Sequence, residues 1–158
     1  MTTLTITVGI PGCGKSTLAE KLKAEGTIDV ILSSDDIRQE LTGDIENQDA
    51  NAQVFKTLYR RVEGGLAQDL NVLVDATNLK PSYRRHLNEI AAGIRWTPAI
   101  ERQALLFLDS FDFDLCQARN LARERVVPEF VMRRFHEQFV QGCTPEQLKA
   151  EFWTVVEI

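Results

Sequence analysis

The sequence predicts an α/β fold, a five-stranded parallel sheet with helices on both faces and a helical lid. Three observations predict it. Five short apolar runs read as strands, segments of helical period separate them, and a glycine-rich turn joins the first strand to the first helix. Strands that alternate with helices pair in parallel and are covered on both sides. No linker-like, repeated or low-complexity stretch interrupts residues 1–158, which therefore read as one domain.

The elements follow in order. "LTITVG" (4–9) alternates apolar residues with threonine and ends at glycine, which reads as the first strand. Residues 15–23 are helix-forming, with Leu18 and Leu22 one turn apart. "DVILSS" (29–34) is the second strand, followed by a short helix whose Ile37 and Leu41 share a side. A long helix is expected over 47–69, with Val54, Leu58, Val62 and Leu66 at every fourth position and Phe55 and Tyr59 beside them. "NVLVDA" (71–76) reads as a buried strand, and Leu87, Ile90, Ala91 and Ile94 mark the next amphipathic helix. A fourth strand lies within 99–109, two helices carry Leu115, Ala118, Ala122 and then Val131, Phe135, Phe139, and "FWTVVEI" closes the sheet. Trp96 and Trp153 are expected in the core, His86 and His136 on the surface.

Composition narrows the function classes. The chain is 44% hydrophobic and 26% charged, with a net charge of −5, so any nucleic-acid contact must be local rather than a broad basic surface. The longest apolar run, Ala104 to Leu108, is far too short to span a membrane. No basic region followed by an apolar core opens the chain, so no signal peptide is expected. Three widely spaced cysteines, Cys13, Cys116 and Cys143, are an odd number and suit reduced thiols in a cytoplasm. Oligomeric state is not legible.

The segment Gly9-Ile-Pro-Gly-Cys-Gly-Lys15-Ser16 fits G-x-x-x-x-G-K-[ST] between a strand and a helix. There, successive backbone N–H groups, including those of Gly12, Cys13 and Gly14, curl around an anion, and the helix N-terminus adds its positive dipole end. Lys15 reaches the β and γ phosphates of a nucleoside triphosphate, Ser16 holds Mg²⁺ through its hydroxyl, and Thr17 donates a further hydrogen bond. The bland alternative is a glycine-rich turn with no ligand. Asp75, at the end of the third strand, can accept from a Mg²⁺-bound water or from Ser16; otherwise it is a strand-end cap.

Asp35 and Arg38 lie three apart where the second strand passes into a helix, beyond the carboxyl ends of the strands, where ligands bind in such sheets. Asp35 can take a proton from an acceptor hydroxyl and Arg38 can clamp an acceptor phosphate. A helix cap with a surface ion pair uses the same spacing. The Thr77-Asn78 step, with Tyr83 and Arg84 beyond it, is expected to touch the acceptor. Residues 118–140 read as a helix hairpin hinged near Pro128, with Arg119 and Arg123 one turn apart and Arg125 next. Arginines on the inner face of such a lid place charge on a transferring phosphoryl group. Between residues 117 and 137 five arginines face three glutamates, a modest excess that also suits a solvated helix face.

Taken together, GxPGxGKST, S-x-D-x-x-R, VDATNL followed by Arg84 and Arg85, RN-x-x-R and VP resemble the P-loop kinases related to the 5′-hydroxyl polynucleotide kinase of T4-type phages and to zeta-toxin-like kinases. The resemblance covers nearly the whole chain. It implies a P-loop kinase that uses ATP and Mg²⁺, with Lys15, Ser16 and Thr17 on the donor nucleotide and Asp35 as general base. It further implies Arg38 on the acceptor's 3′ phosphate, Arg119 and Arg123 on ATP, and Asp75 in support. Two departures stand out. The loop between Arg123 and Val127-Pro128 is one residue shorter than in the phage pattern, and the D-x-D of Asp112 and Asp114 is followed by Leu115-Cys116 rather than Gly-Thr. No phosphatase is therefore expected, and the two aspartates read as a strand-end and helix-cap pair. S-x-D-x-x-R and DATN also occur in relatives with no nucleic-acid substrate. A nucleic-acid 5′-hydroxyl end, DNA or RNA, is the expected acceptor. A small alcohol (sugar, nucleoside or antibiotic) and an NTP-binding module with no acceptor remain alternatives.

Overall fold

In a computed structural model, which describes residues 1–94 and 99–158, five parallel strands stand in the order β2-β3-β1-β4-β5. They are β1 (Thr3–Val8), β2 (Val30–Ser33), β3 (Val72–Asp75), β4 (Glu101–Leu106) and β5 (Thr154–Glu157). Seven α-helices among the described residues connect and cover them: α1 (Lys15–Ala24), α2 (Ser34–Thr42), α3 (Asn51–Ala67), α4 (Pro81–Gly93), α5 (Phe113–Leu121), α6 (Glu129–Gly142) and α7 (Pro145–Glu151).

The placement of β1 follows from its burial. Leu4, Ile6 and Val8 are fully enclosed, and so, nearly, are the alternating Thr5 and Thr7, because helices cover both faces of the sheet. Thr7 meets the cost of a buried hydroxyl by donating to the carbonyls of Val74 and Ala76 at 3.3 and 3.0 Å. β3 is buried at every position, as an uninterrupted apolar run in a central parallel strand should be. The chain passes from β1 to β2 over β3 and later crosses to β4 on the other side. The crevice beyond the carboxyl ends of β1 and β3 is therefore the switch point of the sheet.

Several elements differ from the sequence expectation. The long helix over 47–69 is split, with a 3₁₀ turn at Gln48–Ala50 capped by Asn47 and α3 starting at Asn51. Helix α7 was not expected; Thr144 and Gln147 form a reciprocal capping box at its start, and only Leu148 is fully buried along it. Trp153 is not a core residue. It is 53% exposed in the turn between α7 and β5, with the Arg102 guanidinium 5.0 Å from its ring centre. Trp96 lies outside the described residues. Asp112 does cap α5, accepting from Leu115 N–H at 3.1 Å. Helices α5 and α6 form the expected hairpin, anchored by Cys116, Met132 and Phe139 in the core. No described helix is long and apolar enough to cross a membrane.

Candidate functional site

The first turn of α1 starts directly from the loop after β1. Gly12 and Gly14 have φ of 86° and 99°, a region L side chains rarely adopt. At Gly12 an added Cβ would also lie 2.7 Å from the carbonyl oxygen of Cys116 on α5, so this glycine is demanded by the protein's own packing as well as by its backbone. A Cβ at Gly14 meets nothing within 4 Å; only its backbone angle calls for glycine. The loop is braced from outside. Ile10 N–H donates to Ser110 Oγ at 3.1 Å and Gly9 N–H to the Thr77 carbonyl at 3.1 Å. Lys15 bends back over the loop, its Nζ 2.9 Å from the Ile10 carbonyl and 3.8 Å from Cys13 Sγ. The N–H groups of the first turn of α1, those of Lys15, Ser16 and Thr17 among them, have no partner within the helix and, with the lysine beside them, could hold an anion.

Ser16 Oγ donates to Asp75 Oδ2 at 2.8 Å, which joins the loop to the end of β3. Burial pushes the Asp75 carboxyl above its usual range, the Ser16 hydrogen bond and Lys15 partly offset this, and Asp35 and Asp36 add to it. A buried carboxylate beside a hydroxyl, with further carboxylates nearby, is a hard-oxygen donor set whose charge a divalent cation would relieve. Ser16 and Asp75 therefore fit Mg²⁺.

Across the cleft, Ser33 caps α2 by accepting from Asp36 N–H at 3.3 Å, which puts Asp35 in the first turn. Asp35 is held by two arginines: Arg38 Nη1 lies 3.3 Å from Oδ1, and Arg125 Nη1 lies 3.2 Å from Oδ2. Arg38 is only 5% exposed; its Nη2 donates to Asn51 Oδ1, while its Nε is buried without a partner. Lys15, Ser16, Thr17, Asp35, Arg38, Asp75, Thr77, Arg119 and Arg123 all line one cleft of about 1020 Å³. Arg119 also pairs with Asp109 at 2.9 Å. Phe55 and Tyr83, with ring centres 4.9 Å apart, form an aromatic wall of the same cleft.

Arg84 is a correction. Expected at the acceptor, it is fully buried, and each of its nitrogens is engaged. Nε and Nη2 grip Glu151 at 2.9 Å each, Nη1 donates to the Asn78 and Leu79 carbonyls at 3.0 and 2.9 Å, and Nη2 also donates to Gly142 O at 2.7 Å. It is the tie between the β3–α4 turn, the end of α6 and α7. Asn78 reaches the cleft floor, but its amide nitrogen donates to Thr7 O at 2.7 Å, and its φ of 51° is one that asparagine tolerates. The sequence reading missed the arms that shape the site. Asn120 is fully buried and brackets Val127, accepting from its N–H at 2.9 Å and donating to its carbonyl at 2.7 Å, which closes the turn between α5 and α6. The sequence pattern marks Arg125 only as a basic neighbour of Arg123 and carries no sign of Asn51. The signal for Asn120 lay in its place beside Arg119, just before a Val-Val-Pro break.

A strand, glycine loop and helix at the switch point of a parallel sheet, roofed by an arginine-bearing hairpin, make this an α/β fold of the P-loop kinase type. The chain belongs to the family described as AAA domain, whose model matches residues 4–145. No curated protein matches the sequence. A chain of the Pnkp1/Rnl/Hen1 RNA repair complex is similar in structure, with a TM-score of 0.68 at 21% identity over 89% of this chain and 45% of that one. This chain thus spans less than half the length of that relative. A gluconokinase from Sinorhizobium meliloti 1021 gives 0.59 at 18% identity, over 99% of this chain and 81% of its own. A sugar kinase from Janibacter sp. HTCC2649 gives 0.63 at 15%, over 100% and 85%. At these identities the likeness is one of fold.

Proposed function

We propose that this protein is an ATP-dependent kinase that phosphorylates the 5′-hydroxyl end of a polynucleotide, DNA or RNA. One observation carries the reading. A carboxylate, Asp35, and a buried guanidinium with an unpartnered Nε, Arg38, sit together across one cleft from the phosphate loop. Arg38 lines that cleft, where its guanidinium is the charge that an acceptor phosphate would meet. The carboxylate beside it is then placed to take the proton of the attacking hydroxyl. As that oxygen bonds to the γ-phosphorus, the bond to the leaving ADP oxygen breaks. Lys15, Arg119 and Arg123 hold the charge that spreads over the phosphoryl oxygens. Bound through Ser16 and Asp75, Mg²⁺ would neutralise β- and γ-phosphate charge. Thr77 and Tyr83 line the same cleft, where they would meet the acceptor.

The similarity to a chain of an RNA repair complex supports this reading. A second reading, a kinase for a small alcohol such as a sugar acid, is favoured by the likeness to the gluconokinase and sugar kinase, which extends over 81% and 85% of their own chains. Label transfer from γ-labelled ATP to a 5′-hydroxyl oligonucleotide, run beside gluconate and free nucleosides, separates the two. Lys15→Ala should abolish transfer, and Asp35→Asn should slow it on the order of 10²-fold while nucleotide affinity holds. Transfer to gluconate but not to the oligonucleotide would replace the first reading with the second. Full activity of Lys15→Ala would remove both.

A further inference from the structure

We propose that Arg125 is a positioning residue for Asp35, which orients the carboxylate only when the arginine-bearing hairpin is closed over the cleft. The inference rests on the reading of Asp35 as general base. Arg125 stands in the turn between α5 and α6, 90 positions from Asp35 in the chain, yet its Nη1 lies 3.2 Å from Asp35 Oδ2. The same guanidinium reaches the loop after α2, with Nε 3.8 Å from Glu46 Oε1 and Nη2 3.5 Å from the Ile45 carbonyl. Three contacts from one side chain fasten the hairpin to the acceptor side of the cleft.

The geometry around Asp35 gives the tie its consequence. Arg38, on the same helix, holds Oδ1 alone, which leaves the carboxylate free to swing about its terminal bond. A second guanidinium on Oδ2, from a different element, fixes the plane of the group. A carboxylate has about four lone-pair sites, so one on each oxygen remains to accept a proton. Arg125 itself is well placed. Its side chain is 27% exposed against 45% for Asp35, and Asn120 clamps Val127 two residues further on. Arg119 and Arg123 belong to the same hairpin and line the same cleft. The position that puts those two on a polyphosphate therefore also puts Arg125 on Asp35. Donor closure and base orientation become one event, which disfavours proton removal before the donor is in place.

A double-mutant cycle tests this, using the oligonucleotide or whichever acceptor of the panel the wild-type protein turns over. Arg125→Ala should lower kcat about 10-fold, with KM for ATP changed less than roughly twofold, and Arg125→Lys should recover most of the loss by restoring a charge on Oδ2. In an Asp35→Asn background Arg125→Ala should cost less than about twofold further, because it acts through the carboxylate. An equal loss in both backgrounds, or a rise in KM for ATP in place of a fall in kcat, would mean that Arg125 acts on phosphate and would overturn the proposal. Asp35→Asn with full activity would instead strike the general-base reading beneath it. Hydrogen exchange of the full chain gives a readout that needs no acceptor. Arg125→Ala should speed exchange in residues 43–47 as well as 122–128, and unchanged exchange in 43–47 would show that the tie is absent.

Discussion

Replacing Arg84 with methionine keeps much of the side-chain volume and removes every donor. The carboxylate of Glu151 loses both bonds of a two-pronged pair, and the carbonyls of Asn78, Leu79 and Gly142 lose partners that pull the β3–α4 turn, α6 and α7 together. Breaking a buried pair from one side costs about 3–5 kcal/mol. Orphaned carbonyls would add about 1–3 kcal/mol each if they stayed dry. Two things hold the total down: Glu151 is 25% exposed and can be rehydrated, and water can follow into the gap. The expected loss is roughly 3–5 kcal/mol, a large share of a typical 5–15 kcal/mol. At about 2–4 °C per kcal/mol for a chain of this size, Tm should fall by roughly 6–20 °C. Urea unfolding followed by circular dichroism measures this, with the slope unchanged if only the native state is affected. Glu151→Gln, which keeps the packing, should show a smaller loss in the same direction. A change under about 1 kcal/mol, together with weakened acceptor binding, would refute the reasoning and return Arg84 to the acceptor.

Asp75 carries a pH prediction. Burial raises its carboxyl above the usual value, so the native state favours the protonated form, and stability is lost as pH rises from the ordinary aspartate range through the raised value, with the full cost present above it. Asp75→Asn should therefore have the higher Tm at neutral pH, the gap closing as pH falls into the ordinary aspartate range, and it should gain less from magnesium–nucleotide than wild type does; a variant less stable at pH 7 would contradict this. Asn120→Ala should free both backbone groups of Val127, speeding its amide exchange and lowering stability by about 1–3 kcal/mol, as exchange with mass analysis and urea unfolding would read. Burial pushes the Cys116 and Cys143 thiols up to about 11. Both should resist a thiol reagent at pH 8 in the native protein and react freely in urea, and rapid native labelling at either would contradict their burial.

What the sequence made legible and what it hid divide along physical lines. The strands were readable because central parallel strands are continuous apolar runs, as in Val72–Val74 and Ala104–Leu106. The phosphate loop was readable because its lysine and serine must follow the glycines at fixed spacing. Arg84 was not, since an arginine beside Arg85 on a helix looks solvent-facing until Glu151, 67 residues away, is brought alongside. The tie from Arg125 to Asp35 is hidden for the same reason. Helix α7 did carry a local signal, the Thr-Pro-x-Gln cap, but with a single fully buried residue it has almost no hydrophobic period to read. Trp153 misled by type, because an aromatic at a turn can lie over an arginine instead of entering the core.

The most direct test of the central claim compares two acceptors that differ by one phosphate. Transfer from γ-labelled ATP is measured to a nucleoside 3′-monophosphate and to the same nucleoside without it, with wild type and with Arg38→Ala. A charge-assisted contact from the buried Arg38 guanidinium is worth about 1.5–3 kcal/mol, so wild type should prefer the 3′-monophosphate by roughly 10- to 150-fold in kcat/KM. Most of that preference should vanish in Arg38→Ala, while ATP binding persists. If the bare nucleoside or a sugar acid is phosphorylated as well as the 3′-monophosphate, the polynucleotide reading is wrong.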